Sequence, residues 1–159
     1  MSIESLTAGH VMSRVLVVVK PDESPLMAWE LMRRAGVHHL PVVDGDGVVG
    51  ILTREQLAAS WAGGPEEQSG RKVCAILSRG PMPRVQRDTP LARVAAVMLD
   101  AGCDAVPVLS GGCLVGLITT HDVLAAVAGR VRSTEGPGEM VTGMFHLEPV
   151  LPPTAGRRR

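Results

Sequence analysis

Gly36-Val37-His38-His39-Leu40-Pro41-Val42-Val43-Asp44, followed by Val49-Gly50-Ile51-Leu52-Thr53, decides the fold, because nearly the same run returns later in the chain. Gly102-Cys103-Asp104-Ala105-Val106-Pro107-Val108 and Val115-Gly116-Leu117-Ile118-Thr119 repeat it at an offset of 66. The agreement extends upstream. Ala28, Leu31, Met32 and Ala35 match Val94, Val97, Met98 and Ala101 at that offset, while Ser24-Pro25-Leu26 matches Thr89-Pro90-Leu91 and Ser13-Arg14 matches Ser78-Arg79 at 65. Self-similarity at one fixed period marks a single supersecondary unit written twice.

Each copy reads as strand, helix, strand, strand, helix, an α/β (α+β) pattern. The β-branched run Val15 to Val19 predicts a buried strand, with a weaker counterpart at Arg84 to Gln86. Ser24 and Thr89 are expected to cap helices whose first residue is proline, where a missing N–H costs nothing. Apolar residues at i, i+3, i+4 and i+7 then give each helix one core-facing stripe, and Gly36 and Gly102 stop it. Asp44-Gly45-Asp46-Gly47 and Ser110-Gly111-Gly112 read as hairpin turns. Last helices open at Thr53 and Thr119. The expected organisation is repeat one over 7–62, a polar linker over 63–70, repeat two over 71–129, and an extended or loosely docked tail over 130–159 that carries an apolar island from Met140 to Phe145.

The chain has 159 residues, long enough for a hydrophobic core at 45% apolar content. Its 16 basic residues balance 16 acidic ones, which argues against nucleic acid as the main partner. Trp29, Trp61 and Phe145 are its only aromatics, too few for a base-stacking platform. No apolar run is long enough to span a bilayer and the first residues lack a secretory pattern, so no membrane partner and a cytoplasmic location are expected. Cys74, Cys103 and Cys113 are odd in number and widely spaced, the pattern of reduced thiols, with Cys103 and Cys113 expected in the core.

With these motifs at constant spacing, the chain resembles a tandem pair of cystathionine β-synthase (CBS) domains, also called a Bateman module. The resemblance covers about Thr7 to Gly129. It implies two βαββα repeats packed around a pseudo-twofold axis, a homodimer, no catalysis and no required cofactor. It also implies a regulatory role for a separate effector protein, through an adenosine-containing ligand such as AMP, ADP, ATP, NAD(H) or S-adenosylmethionine. The family's ribose-binding Thr-x-x-Asp is matched by Thr119 and Asp122, with His121 on the same turn. In AMP-sensing relatives a His-Arg pair of the opposite repeat contacts phosphate, and His38 and His39 hold that position. The resemblance places adenine against Pro81, Met82 and Ile118. One cleft is then expected to combine Thr119 and Asp122 with His38 and His39. The other, with Thr53, Gln56 and Asp104, is expected to be degenerate, because a neutral amide is a weaker diol acceptor and Asp104 repels phosphate. Thr53 with Gln56, like Thr119 with Asp122, also fits a plain capping box.

Two rival readings compete with the sensor. A ligand-free dimerisation or adaptor module would use the apolar faces of the last helices, including Trp61. A metal or redox sensor would draw on His10, His38, His39, His121 and the three cysteines, but no Cys-x-x-Cys or His-x-x-x-His spacing supports it, and no metal site is expected. No nucleophile with an orienting acid/base partner is present, so no enzyme is expected.

Overall fold

The computed structural model describes residues 2–131 and 139–142. A short 3-10 turn (Ile3–Ser5) and helix α1 (Ala8–Val11) lead into strand β1 (Val15–Val18). Helix α2 (Pro25–Ala35), strands β2 (His39–Asp44) and β3 (Gly47–Thr53), and helix α3 (Arg54–Ser60) complete the first copy. Helix α4 (Pro65–Gly70) and a 3-10 turn (Val73–Ala75) connect to strand β4 (Val85–Gln86), helix α5 (Leu91–Ala101), strands β5 (Ala105–Ser110) and β6 (Cys113–Thr119), and helix α6 (Thr120–Val127). Strand β7 (Glu139–Thr142) follows.

The two copies form the same units for the same local reasons. β2 and β3 pair antiparallel, as do β5 and β6, with matching irregularities at Val42/Val43 and Val108/Leu109. Each leading strand pairs parallel with its hairpin at an equivalent point, Val19 with Val42 and Val85 with Val108. Gly36 and Gly102 end α2 and α5 at φ 65° and 61°, left-handed values that glycine adopts without a Cβ clash.

Local expectation fails at Thr89. Ser24 caps α2 by accepting from Met27 N at 3.1 Å, whereas α5 starts one residue later and Thr89 Oγ1 instead accepts from Gln86 N at 3.0 Å. The cause is a chain segment packed alongside: Ala8 N donates to Thr89 O and Leu91 N to Leu6 O, which keeps Pro90 extended and outside the helix. The 63–70 linker also departs from expectation. Pro65 at the first helical position, followed by Glu66 and Glu67, opens α4, and its Gln68 is buried and donates to the Ala62 carbonyl.

Long-range packing exchanges the lead-in segments. Leu6, Ala8 and Met12 lie in the core of the second copy, with Val85, Val94, Val106 and Ile118. Val73 lies in the core of the first, with Leu31, Leu40, Leu52 and Leu57, and Leu77 packs against that core. A third cluster joins Leu16, Val18 and Val43 to Ala105, Leu109, Leu114 and Leu117, so both hairpins share an apolar seam. Cys103 packs at the edge of its core, but Cys113 is exposed beside the Gly111-Gly112 turn, correcting its placement inside. Trp61 is half-buried, 5.8 Å from Trp29, and is no open apolar face; Leu124 and Val127 of α6 are exposed. Of the tail, residues 132–138 and 143–159 lie outside the described ones, while β7 pairs parallel with β1 from Val15↔Glu139 to Val18↔Thr142. Among the described residues no helix is long and apolar enough to cross a membrane.

Candidate functional site

Two clefts open where one copy's hairpin and last helix face the other copy. Cleft one, of about 520 Å³, is lined by His38, His39, Thr119 and His121, with Leu16, Val17 and Leu117 as apolar wall. Cleft two, of about 500 Å³, is lined by Thr53, Gln56, Ser78, Pro81, Met82 and Cys103. Both volumes suit a small organic ligand, for which roughly 300–1,000 Å³ is usual. His39 and Asp104 line both clefts, so each cleft contains a carboxylate.

The structure brings His38, His39, Thr119 and His121 together in one cleft. It does not bring Pro81, Met82 or Ile118 to them. Pro81 and Met82 stand in cleft two with Gln56 and Thr53, a correction that follows from the exchanged lead-ins. Ser13, at the end of the first copy's lead-in, exchanges backbone hydrogen bonds with Leu117 of the second, at 2.9 and 3.1 Å. Residue 78 in the second lead-in is bound to the first copy's α3: Gln56 Nε2 donates to Ser78 Oγ at 2.7 Å. Ile118 is fully buried and belongs to the core. The apolar wall of cleft one, Leu16 and Val17, was not singled out from sequence. The pairing of Ser13 with Ser78 in the repeat was the available signal, but it does not say which hairpin each segment joins.

Both helix starts are capping boxes. Thr53 N donates to Gln56 Oε1 at 3.0 Å and Gln56 N to Thr53 Oγ1 at 3.1 Å. Asp122 Oδ2 accepts from Thr119 N at 2.8 Å and from Thr119 Oγ1 at 3.1 Å. The two boxes differ in what they leave over. Gln56 has both ends of its amide engaged. Asp122 commits one carboxylate oxygen, and Oδ1 keeps its acceptor capacity. Asp122 follows the cleft-lining His121 in the first turn of α6 and is half-buried; it does not itself line the cleft.

His39 is half-buried, and burial pushes its imidazole below the ordinary histidine range; Glu55 and Asp104 partly oppose this, and His38 adds to it. Burial likewise raises the Cys103 thiol, so it stays protonated rather than reactive. Among the described residues no group of three His, Cys, Asp or Glu side chains stands close enough to hold a metal ion.

Comparison with known proteins gives consistent matches. The family model described as CBS domain matches residues 8–63 and 73–129. A CBS domain-containing protein of Dictyostelium discoideum is 30% identical over 126 residues, covering 72% of this chain and 86% of that protein. An uncharacterized protein of Methanocaldococcus jannaschii is 32% identical over 124 residues, 75% of this chain, but the match spans only 27% of that protein. Among solved structures, a protein with CBS domains from Burkholderia ambifaria superposes with a TM-score of 0.69 at 25% identity, covering 82% of this chain and all of that one. CBSX2 in complex with AMP superposes with a TM-score of 0.66 at 27% identity, covering 77% of this chain and 96% of that one.

Proposed function

The chain belongs to the CBS-domain family, carried here as two tandem copies, and from that premise we propose that it is a non-catalytic regulatory module for a separate effector. An adenosine-containing ligand binds in cleft one. The observation that carries the choice of cleft is the asymmetry of the two capping boxes: Asp122 retains a free carboxylate oxygen for a ribose diol, whereas Gln56 is saturated by Thr53 and Ser78. The AMP complex of CBSX2, a relative of the same fold, supports the ligand class. Leu16, Val17 and Leu117 offer the base an apolar wall and His38 and His39 offer the phosphate hydrogen-bond donors, while Asp122, at the helix start beside the cleft-lining Thr119 and His121, offers the ribose an acceptor. Occupancy shifts the module by binding one arrangement of the two copies more tightly than another.

Thermal melting with AMP, ATP, NADH and S-adenosylmethionine tests this. A ligand at ten times its Kd stabilises by about 1.4 kcal/mol, a rise of roughly 3–6 °C for a chain of this size. Asp122→Asn keeps an oxygen to cap Thr119 but loses the charge, and is expected to weaken binding about 10- to 100-fold, since a hydrogen bond to a charged group contributes roughly 1.5–3 kcal/mol. An unchanged affinity in this variant removes Asp122 from the site. No shift from any adenosyl ligand favours the ligand-free adaptor.

A further inference from the structure

A recess of about 220 Å³ lies against His38, next to cleft one. The two share Gly36, Val37 and His38, and Trp29, Arg33 and Arg54 line the far side. Arg54 is held there twice: its backbone N donates to the His38 carbonyl at 3.0 Å, and its guanidinium carbon sits 5.4 Å from the centre of the Trp29 ring. Among the described residues no carboxylate pairs with Arg54, while Glu30 pairs with Arg33 at 2.9 Å and with Arg34 at 3.7 Å.

The repeat supplies an internal control. At the offset of 66, Trp29, Arg33, His38 and Arg54 are replaced by Ala95, Leu99, Asp104 and Thr120. Among the described residues, only cleft one therefore borders a basic, aromatic-floored recess. The equivalent positions in the second copy offer no cation and one carboxylate.

Building on the reading of cleft one as the adenosyl site, we propose that this recess takes the β- and γ-phosphates of an adenosine di- or triphosphate, with Arg54 the residue that selects ADP and ATP over AMP. Asp104 acts electrostatically on His39, so that end of the cleft is unfavourable for extra phosphate charge. The His38 end, with Arg54 just beyond, is favourable. A guanidinium carries its charge at any physiological pH and presents parallel N–H donors that match phosphate oxygens. Its position over Trp29 fixes it before ligand arrives, which lowers the ordering cost of binding.

Isothermal titration of the full chain with AMP, ADP, ATP and inorganic tripolyphosphate is the test, run on the wild type, Arg54→Gln and Arg54→Lys, with melting curves to establish that each variant is folded. ADP and ATP are expected to bind at least tenfold more tightly than AMP. Arg54→Gln should bring them to the level of AMP while changing AMP itself less than twofold, and should abolish any tripolyphosphate binding. Arg54→Lys should retain part of the preference. Equal binding of AMP and ADP by the wild type, or equal losses of both in Arg54→Gln, overturns the recess assignment. If AMP binds and Asp122→Asn weakens it, that failure leaves the cleft-one reading standing. If no adenosyl compound binds the folded wild type, cleft one is not the ligand site and the recess assignment falls with it.

Discussion

His39 faces two opposing demands. Burial keeps it neutral in the folded chain, while in the unfolded chain it takes up a proton near its ordinary value of 6.5. A histidine with a lowered folded-state pKa contributes stability that is present above about pH 6.5 and is lost as pH falls through the lowered value, because the unfolded state binds more protons there. An anion in the cleft works the other way, favouring imidazolium, so phosphate affinity should rise as pH falls over the same window. Urea melts at pH 7.5 and 5.5 are expected to show His39→Gln losing less stability on acidification than the wild type. AMP titrations should show affinity rising on acidification in the wild type and flattening in the variant. Parallel pH slopes for the two proteins would mean that His39 neither titrates in the fold nor meets phosphate. His38 and His39 were legible in the sequence as cleft residues because their position in the repeat is local. The electrostatic surroundings of His39 were not, since burial pushes its imidazole down while Glu55 and Asp104, brought in from other elements, oppose that.

Gly116 and Gly50 occupy equivalent positions in β6 and β3, and each faces the lead-in of the other copy. A Cβ at Gly116 would collide with Met12 through its Sδ, Cγ and Cβ atoms, whereas a Cβ at Gly50 would meet the branched end of Leu77 at 3.3 Å. Met12 is itself buried, with its Cβ close to the backbone, so it has little room to retreat. Gly116→Ala is expected to destabilise by about 1–3 kcal/mol, the usual cost of overpacking. Gly50→Ala should cost distinctly less. Chemical denaturation of the two variants checks the order, and equal losses would contradict the crossing of Met12 against Gly116. Sequence identified the hairpins, the glycine helix stops and the Ser24 cap, all set within a few residues. It did not show that the lead-ins cross over. Ser13-Arg14 and Ser78-Arg79 are near copies, so either could satisfy either hairpin, and only the three-dimensional packing of Met12 and Leu77 chooses between them. The misplacement of Pro81 and Met82, and of the cap at Thr89, both follow from that one undecided pairing.

At the scale of the whole molecule, the pseudo-twofold likeness of the copies breaks at β1. Strand β4 is two residues long and, among the described residues, pairs only with β5, but β1 carries a four-residue parallel ladder to β7. Chain that follows the second copy thus returns to the first, and the strand it covers supplies Leu16 and Val17 to the wall of cleft one. A chain ending at Val131 loses this partner and leaves one edge of β1 without its ladder, at a net cost of about 0.5–1.5 kcal/mol for each hydrogen bond not replaced by water. Hydrogen exchange should therefore accelerate at Val15 to Val18 in the shortened chain and stay unchanged at Val85 and Gln86, which pair with β5. Adenosyl affinity should fall with it, because a wall strand that frays must be ordered again on binding. Unchanged exchange at Val15 to Val18 would show that β7 contributes no protection in solution. Faster exchange with unchanged affinity would separate the tail from the cleft, leaving β7 as an edge cover in the sense that exposed strand edges require one.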